Sequence, residues 1–410
     1  MSNNRLLMCM PYRQLVRKAV AAGFRVYSVW DPTLESGAYL DEVAALSEEM
    51  VLTGFDDEAK LRRVIATMAV RHDVARVLHL GREATQLAVC EEAEALGLAV
   101  NSSRALAAIN DKAAMRALLD AHGISPVRSI EVPCPQEVHR ARGFEFPVVV
   151  KPTRLDGSRA VRLIERAHDL AAWRDEVDRL NYHGPVLIEE YLRGPEFSVE
   201  TLTVGGCHHV VGITAKRLGP APHFVEMGHV FPAPLDDRER GAITDVVVGY
   251  LDASGYRFGP AHTEVILTER GPRIVESQAR IGGDRIPLLI EVATGFDIEA
   301  AVFQALAGEP VHPRPPRRLA GIAFFDFGTG RVQSVDGVEA VRELPFVHEL
   351  KVKVADGDVL APVISSQTRH GYVVVDGASP AQVAQRLAEA RARLQISAVA
   401  RGATPLPLPA

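Results

Sequence analysis

In the stretch HTEVILTERGPRIVESQAR, residues 262–280, two alternating apolar runs flank Glu269-Arg270-Gly271-Pro272. That pattern predicts a β-hairpin. With its turn centred near Arg270, Glu264 faces Glu276 across the two strands. Glu276, Gln278 and Arg280 then share a face, because strand side chains alternate with a period of two. Like charges set directly opposite each other destabilise a sheet, so such a pair calls for a compensating cation. Arg280 is one candidate. A divalent metal is another, since Mg2+ takes oxygen ligands and often combines one or two carboxylates with phosphate oxygens. Two glutamates facing water on an edge hairpin fit the same spacing, and spacing alone does not choose.

Context bears on the choice. Only seven of the 46 basic residues are Lys, so a Lys inside an apolar strand is informative. Lys151 ends the run FPVVVKP, where an unpaired ammonium is out of place. Asp156-Gly157-Ser158 follows, a short loop able to offer amides and a hydroxyl to phosphate, or simply a turn. Lys112 sits near a helix start and by itself reads as solvated. PVLIEEYLRGPEFSVE ends an apolar strand in Glu189-Glu190-Tyr191-Leu192, with Glu196 just beyond. A strand end with free amides, an apolar flank and acids suits a purine and its ribose; an acidic surface strand is the plainer alternative.

Local patterns supply the elements that must hold these residues. Residues 1–100 alternate strands (RLLMCM, FRVYSVW, ARVLHL) with amphipathic stretches at 12–22, 56–71 and 83–96, which predicts a small parallel α/β unit. No G-x-G-x-x-G follows the first strand, so a dinucleotide site is not indicated. A helix is expected over 102–122, stopped by Gly123. Strands SIEV, FPVVVKP and VRLI, a helix at 168–180, and strands PVLIEEYL, EFSVETLTV and HHVVGITA follow, the last two joined by Gly205-Gly206. Helices are expected at 237–252 and 285–307, a Pro-rich linker at 308–318, and a small α+β region with a closing helix at 380–394.

Composition narrows the class. With 47% hydrophobic and 24% charged residues and a net charge of -6, the chain reads as globular and offers no basic footprint for nucleic acid. Four cysteines without CxxC spacing read as reduced thiols, which points to the cytoplasm. No apolar run approaches the ~20 residues of a membrane helix, and the N-terminus lacks a signal-peptide core.

Taken in order, Lys112, FPVVVKP, the DGS loop, LIEEYLRGPEFSVE and TEVILT…RIVESQARIGG resemble the ATP-grasp superfamily over roughly residues 105–300. The resemblance implies an ATP-grasp fold: α/β and α+β in several domains, with a pre-ATP-grasp α/β unit at 1–104 and the ATP-grasp domain at 105–310. Its subdomains would be about 105–184 and 185–310, followed by a small α+β domain at 311–402 and a tail at 403–410. It implies ATP as substrate and Mg2+, or Mn2+ in its place, as cofactor. Lys112, Lys151 and Ser158 would hold phosphates, Glu189, Tyr191 and Leu192 the adenine, and Glu196 the ribose. Glu264 and Glu276 would hold metal, with Gln278 standing where an Asn is usual. Arg280 would stabilise the phosphate and the charged intermediate.

Within the superfamily, ITAKRLGPAPHFVEMGHVFPAPL and the segment from Gly357 to Ala390 look most like L-amino-acid ligases, including dapdiamide-synthase-type enzymes. That likeness implies a carboxylate and an amine, each small, as partners, joined through an acyl phosphate, and a homodimer. Glu226, His229, His262, Gly282 and Gly283 would line the substrate end, Glu226 near an ammonium; His223 reads better as a satisfied surface or core residue. Two alternatives stand: a purine-pathway or carboxylase-like relative, although no A-M-K-M carrier motif is present, and a catalytically silent ATP-binding protein. Retention of Glu264, Glu276 and Arg280 speaks against the last.

Overall fold

The computed structural model describes residues 3–155, 159–220 and 224–399. The N-terminal unit is a four-stranded parallel sheet, order β3-β2-β1-β4, built from β1 (Arg5–Cys9), β2 (Arg25–Trp30), β3 (Glu49–Leu52) and β4 (Arg76–Leu78). Helices α1 (Arg13–Ala21), α2 (Gly37–Leu46), α3 (Glu58–Arg71) and α4 (Glu83–Ala95) connect and cover it. Leu6 to Cys9 are all buried, as expected of a parallel strand packed on both faces. The sequence reading missed α2 and β3. The Ser36 hydroxyl caps α2 by accepting from Tyr39 N at 3.3 Å, and β3 is a half-buried edge strand of four residues, too short for a clear period.

Residues 103–121 form two helices, not one. Asp111 closes α5 (Ser103–Asn110) and caps α6 (Lys112–Ala121), its side chain accepting from Ala113 N and Ala114 N at 2.8 Å. The break makes Lys112 the first residue of a helix that points at the site. The expected helix at 285–307 is likewise split, into α9 (Ile286–Thr294) and α10 (Ile298–Leu306). Gly295 in the left-handed region ends the first, and Asp297 caps the second.

Strands β5 (Ser129–Val132), β6 (Val148–Pro152), β7 (Arg162–Ile164) and β8 (Val186–Glu190) make an antiparallel sheet of order β5-β8-β6-β7, covered by α7 (Leu170–Arg179). The larger sheet begins with β9 (Glu196–Val204), β10 (Cys207–Leu218), β11 (Glu226–Phe231), β12 (Phe258–Thr268) and β13 (Gly271–Gln278). Beyond the Pro-rich linker come β14 (Leu319–Phe324), β15 (Gly330–Asp336), β16 (Val347–Val352), β17 (Val359–Leu360), β18 (Gly371–Gly377) and β19 (Gln395–Val399). Three of these join the larger sheet, whose order is β13-β12-β9-β10-β11-β14-β18-β16. The other three pair in the order β17-β15-β19.

One face of this sheet is apolar. Val199, Val265 and Ile274 pack there against Ile243, Val247, Tyr250 and Leu251 of helix α8 (Asp237–Ser254). The alternation that buries Val199 and Val265 turns Glu200 and Glu264 to the other face, and Glu276, two residues from Ile274, reaches that face through an irregularity in the ladder between them. The N-terminal unit docks on the same body through Lys18, whose ammonium lies 2.8 Å from Asp297 and 2.7 Å from Glu299. Among the described residues no helix is long and apolar enough to cross a membrane.

The chain passes from β8 to β9 through Gly194 at φ 151°, where a Cβ would lie 2.1 Å from Leu267 O. Gly194→Ala is therefore expected to push this crossing off β12 and cost about 1–3 kcal/mol. The check is the urea midpoint, and an unchanged midpoint would show that the crossing is not locked.

Candidate active site

The hairpin does bring Glu264 and Glu276 face to face, by a route the sequence reading did not foresee. Its two-residue turn pairs Thr268 with Gly271, and that register continues to Val265 opposite Ile274. Continued further, it would place Val275 across from Glu264. Instead the ladder shifts between Val265 and Glu264, leaving Val275 as the extra residue of a bulge and pairing Glu264 with Glu276. The displaced Val275 carbonyl accepts from Lys151 Nζ at 3.2 Å and from an Arg116 amino group at 3.3 Å, while Ile274 O accepts from Arg116 at 2.6 Å.

Lys151 and Arg116 meet on one carboxylate. Lys151 Nζ lies 2.7 Å from Glu189 Oε2, and Arg116 Nε donates to Glu189 Oε1, all three side chains being buried. Burial pushes the Glu189 carboxyl up, but Arg116 and Lys151 outweigh it and pull it down to about 2. Both oxygens of Glu189 are thus engaged by cations, and just beyond its strand Tyr191 and Leu192 line the cleft.

Lys216 forms the second hub. Its ammonium, almost fully buried, lies 2.5 Å from Glu196, 2.7 Å from Glu264 and 3.5 Å from Glu226. Burial lowers its proton affinity, yet the three carboxylates hold it well above the ordinary value. Glu264, for which burial again works upward, is held well below the usual carboxylate range by Lys216 and His262. Glu196 moves up, because burial, helped by Glu264 and Glu226, outweighs Lys216. Lys112 Nζ stands 3.2 Å from Glu276 and holds it down against burial and Glu264. His262 bonds Glu200 at 2.5 Å and lies 3.5 Å from Glu264; despite burial, these acids raise it to about 9.

Beyond the hairpin, Arg280 Nε lies 2.5 Å from Glu83 at the start of α4. Gly282 lets the chain cross over the Glu200–His262 pair: a Cβ there would sit 2.7 Å from Glu200 and 2.9 Å from His262. Gly283 has open space around it. Asp284 is gripped by both Arg369 amino groups and lies 3.2 Å from His229 Nε2, while Arg369 covers the Phe324 ring at 3.6 Å. Every residue expected at the site borders one cleft of about 1680 Å³, except Ser158, which lies outside the described residues with its DGS loop, as does His223.

The donor set suits a magnesium ion. Two carboxylates face each other, and the buried Gln278 amide bonds Glu276 through Nε2 at 2.6 Å while its Oε1 has no partner among the described residues. Among those residues no three His, Cys, Asp or Glu side chains are placed to hold a metal. Sequence reasoning missed Arg116, Glu200, Lys216, Glu83, Asp284 and Arg369. Lys216 carried the same signal as Lys151, a rare Lys in an apolar strand; Glu83 and Arg369 lie too far along the chain to betray a role.

The chain matches the ATP-grasp domain family over residues 144–287 and the L-amino acid ligase C-terminal domain 2 over residues 323–399. It is 31% identical over 276 residues to protein y4rH of Sinorhizobium fredii (strain NBRC 101917 / NGR234), covering 64% of this chain and 56% of that one. It is 25% identical over 267 residues to dapdiamide A synthase of Enterobacter agglomerans, covering 60% and 61%. Both matches span less than two thirds of the relatives' own lengths. An L-amino acid ligase from Bacillus licheniformis shares the fold, with TM-score 0.83 and 23% identity over 97% of this chain and 100% of that one. The ATP-grasp fold expected from the motifs is therefore the fold observed.

Glu189→Gln would leave Lys151 and Arg116 buried without their counter-charge, a loss of about 3–5 kcal/mol at neutral pH. Because the folded carboxyl is depressed, its contribution is complete above its ordinary value of 4.5 and fades as pH falls toward about 2. Urea midpoints of parent and variant should therefore differ widely at neutral pH and converge in acid; a constant gap would contradict the triad.

Proposed function

We propose that this chain, which matches the ATP-grasp domain family and the L-amino acid ligase C-terminal domain 2, joins a carboxylate to an amine, both of amino-acid type, with conversion of ATP to ADP and phosphate. The observation that carries the reading is the bulged hairpin: it sets two metal-type carboxylates opposite each other within reach of Lys112, Lys151 and Lys216. The cleft volume, about 1680 Å³, exceeds the ~300–1,000 Å³ of a single small-ligand pocket, consistent with a nucleotide and two further molecules.

In this reading an oxygen of the substrate carboxylate attacks the γ-phosphorus, and the bridging oxygen leaves with ADP. The amine nitrogen then attacks the acyl carbon, phosphate departs with the former carboxylate oxygen, and the nitrogen loses a proton. The obstacle is repulsion between the carboxylate and the γ-phosphate. Lys112 and Lys151 offer ammonium groups to the phosphates, with Glu189 fixing Lys151 in place; Ser158 would add its hydroxyl. Magnesium held by Glu264, Glu276 and the free Gln278 oxygen would supply charge neutralisation at the polyphosphate. Glu196 accepts from the ribose, and the Tyr191–Leu192 backbone reads the base. Arg280, released from Glu83, faces the anionic intermediate. Glu226 and His229 stand where an ammonium would be bound and deprotonated, and His262, Gly282 and Gly283 shape the wall beside them.

A matrix of amino-acid pairs with ATP and Mg2+, scored by phosphate release and product mass, tests the reaction class. Release is expected only when both an acid and an amine are present; release with an acid alone, or none with any pair, would point elsewhere. Glu276→Gln should lower turnover by roughly 10²–10³. Lys151→Ala should weaken ATP binding at least tenfold by calorimetry, and undiminished affinity would remove Lys151 from the phosphate site.

A further inference from the structure

Four carboxylates, Glu196, Glu226, Glu264 and Glu276, gather on one buried sheet face, and each metal carboxylate already holds an ammonium. Lys216 Nζ lies 2.7 Å from Glu264, and Lys112 Nζ lies 3.2 Å from Glu276. An ammonium has three donors. Two of those on Lys216 serve Glu196 and Glu264, and the third faces Glu226 at 3.5 Å. A metal ion arriving alone would have to part Lys216 from Glu264 and Lys112 from Glu276 in a largely buried pocket; Lys216 would keep Glu196 and Glu226, but Lys112 would lose the one carboxylate it touches among the described residues, which is unfavourable. A nucleotide changes that balance. Its phosphate oxygens accept the ammonium groups that the carboxylates release, while Glu226 is close enough to retain Lys216.

We propose that Lys216 and Lys112 are resident counter-cations that keep Glu264 and Glu276 closed to metal until a nucleotide polyphosphate enters, so that metal and nucleotide load together. Lys216 is the more informative of the two, because nothing in the family motifs assigned it a role and because it alone bridges the ribose, metal and substrate acids. The inference rests on the metal assignment made above. It also fixes a sign: nucleotide tightens metal binding, and metal tightens nucleotide binding by the same factor.

The test titrates the full chain with Mn2+, reading free Mn2+ by electron paramagnetic resonance, with and without saturating ADP. The parent should bind Mn2+ alone weakly and at least tenfold more tightly with ADP. Lys216→Met should bind Mn2+ alone at least tenfold more tightly than the parent, and the gain on adding ADP should shrink. Lys216→Arg, which keeps the charge, should behave as the parent. If Lys216→Met does not fold, Lys112→Met asks the same question at the rim. It should strengthen binding of Mn2+ alone while weakening ADP binding, opposite signs that general damage to the site would not produce. Methionine variants that bind Mn2+ alone no better than the parent would overturn the proposal while leaving the metal site standing. A parent that fails to bind Mn2+ even with ADP would instead overturn the metal assignment itself, and the proposal with it.

Discussion

The site is governed by the repulsion between two glutamates that the backbone holds directly opposite each other. Glu264 and Glu276 cannot relax apart, because the ladder on either side fixes their register. Both are largely buried, in a cleft that residues of the other sheet and of the N-terminal unit also line. Their charge must be met by cations, and the chain delivers them from separate elements: Lys216 from β10, His262 from β12 and Lys112 from the start of α6.

The bulge that creates this opposition has its own supports. Val275, the extra residue, leaves a carbonyl that a regular ladder would have paired, and Lys151 and Arg116 take it. Those two cations share Glu189, so β6, α6, β8 and β13 meet at one ion triad. Further along, Asn110 accepts from Ala279 N at 2.8 Å, Gln86 donates to Ala279 O at 3.3 Å, and Glu83 holds Arg280. The segment that leaves the glutamate hairpin is thus held by Asn110 of α5 and, through Gln86 and Glu83, by the N-terminal unit, which gives that unit a part in shaping the cleft without any nucleotide signature of its own. At the far end, Arg369 from the C-terminal region grips Asp284, which with Arg285 sits in the left-handed region. Three parts of the chain are needed to shape one cleft.

Much of this was legible in the residues. Alternation in 262–280 gave the hairpin and its polar face, and a Lys in an apolar run marked Lys151. Other features were hidden for physical reasons. A cap inside a continuous helical period, as at Asp111, splits a helix without altering the apolar pattern. A short edge strand such as β3 has too few residues to show a period. Glu189, expected beside the adenine, pairs with Arg116 and Lys151, and the Arg116 pairing was hidden because the two residues lie 73 positions apart in the chain.

By itself the sequence determined which groups are available: the two carboxylates in the strands of one hairpin, the scarce lysines, the strand end suited to a base, and the order in which they come. Those are consequences of local periodicity and side-chain chemistry, which need only neighbouring residues. The tertiary structure alone decided how the charges pair. The opposition of Glu264 and Glu276 depends on a one-residue bulge supported from other elements. The neutrality of the cleft depends on which distant ammonium reaches which carboxylate across a few ångströms. Coulombic pairing in a desolvated pocket is a property of distance in space, and separation along the chain does not encode it.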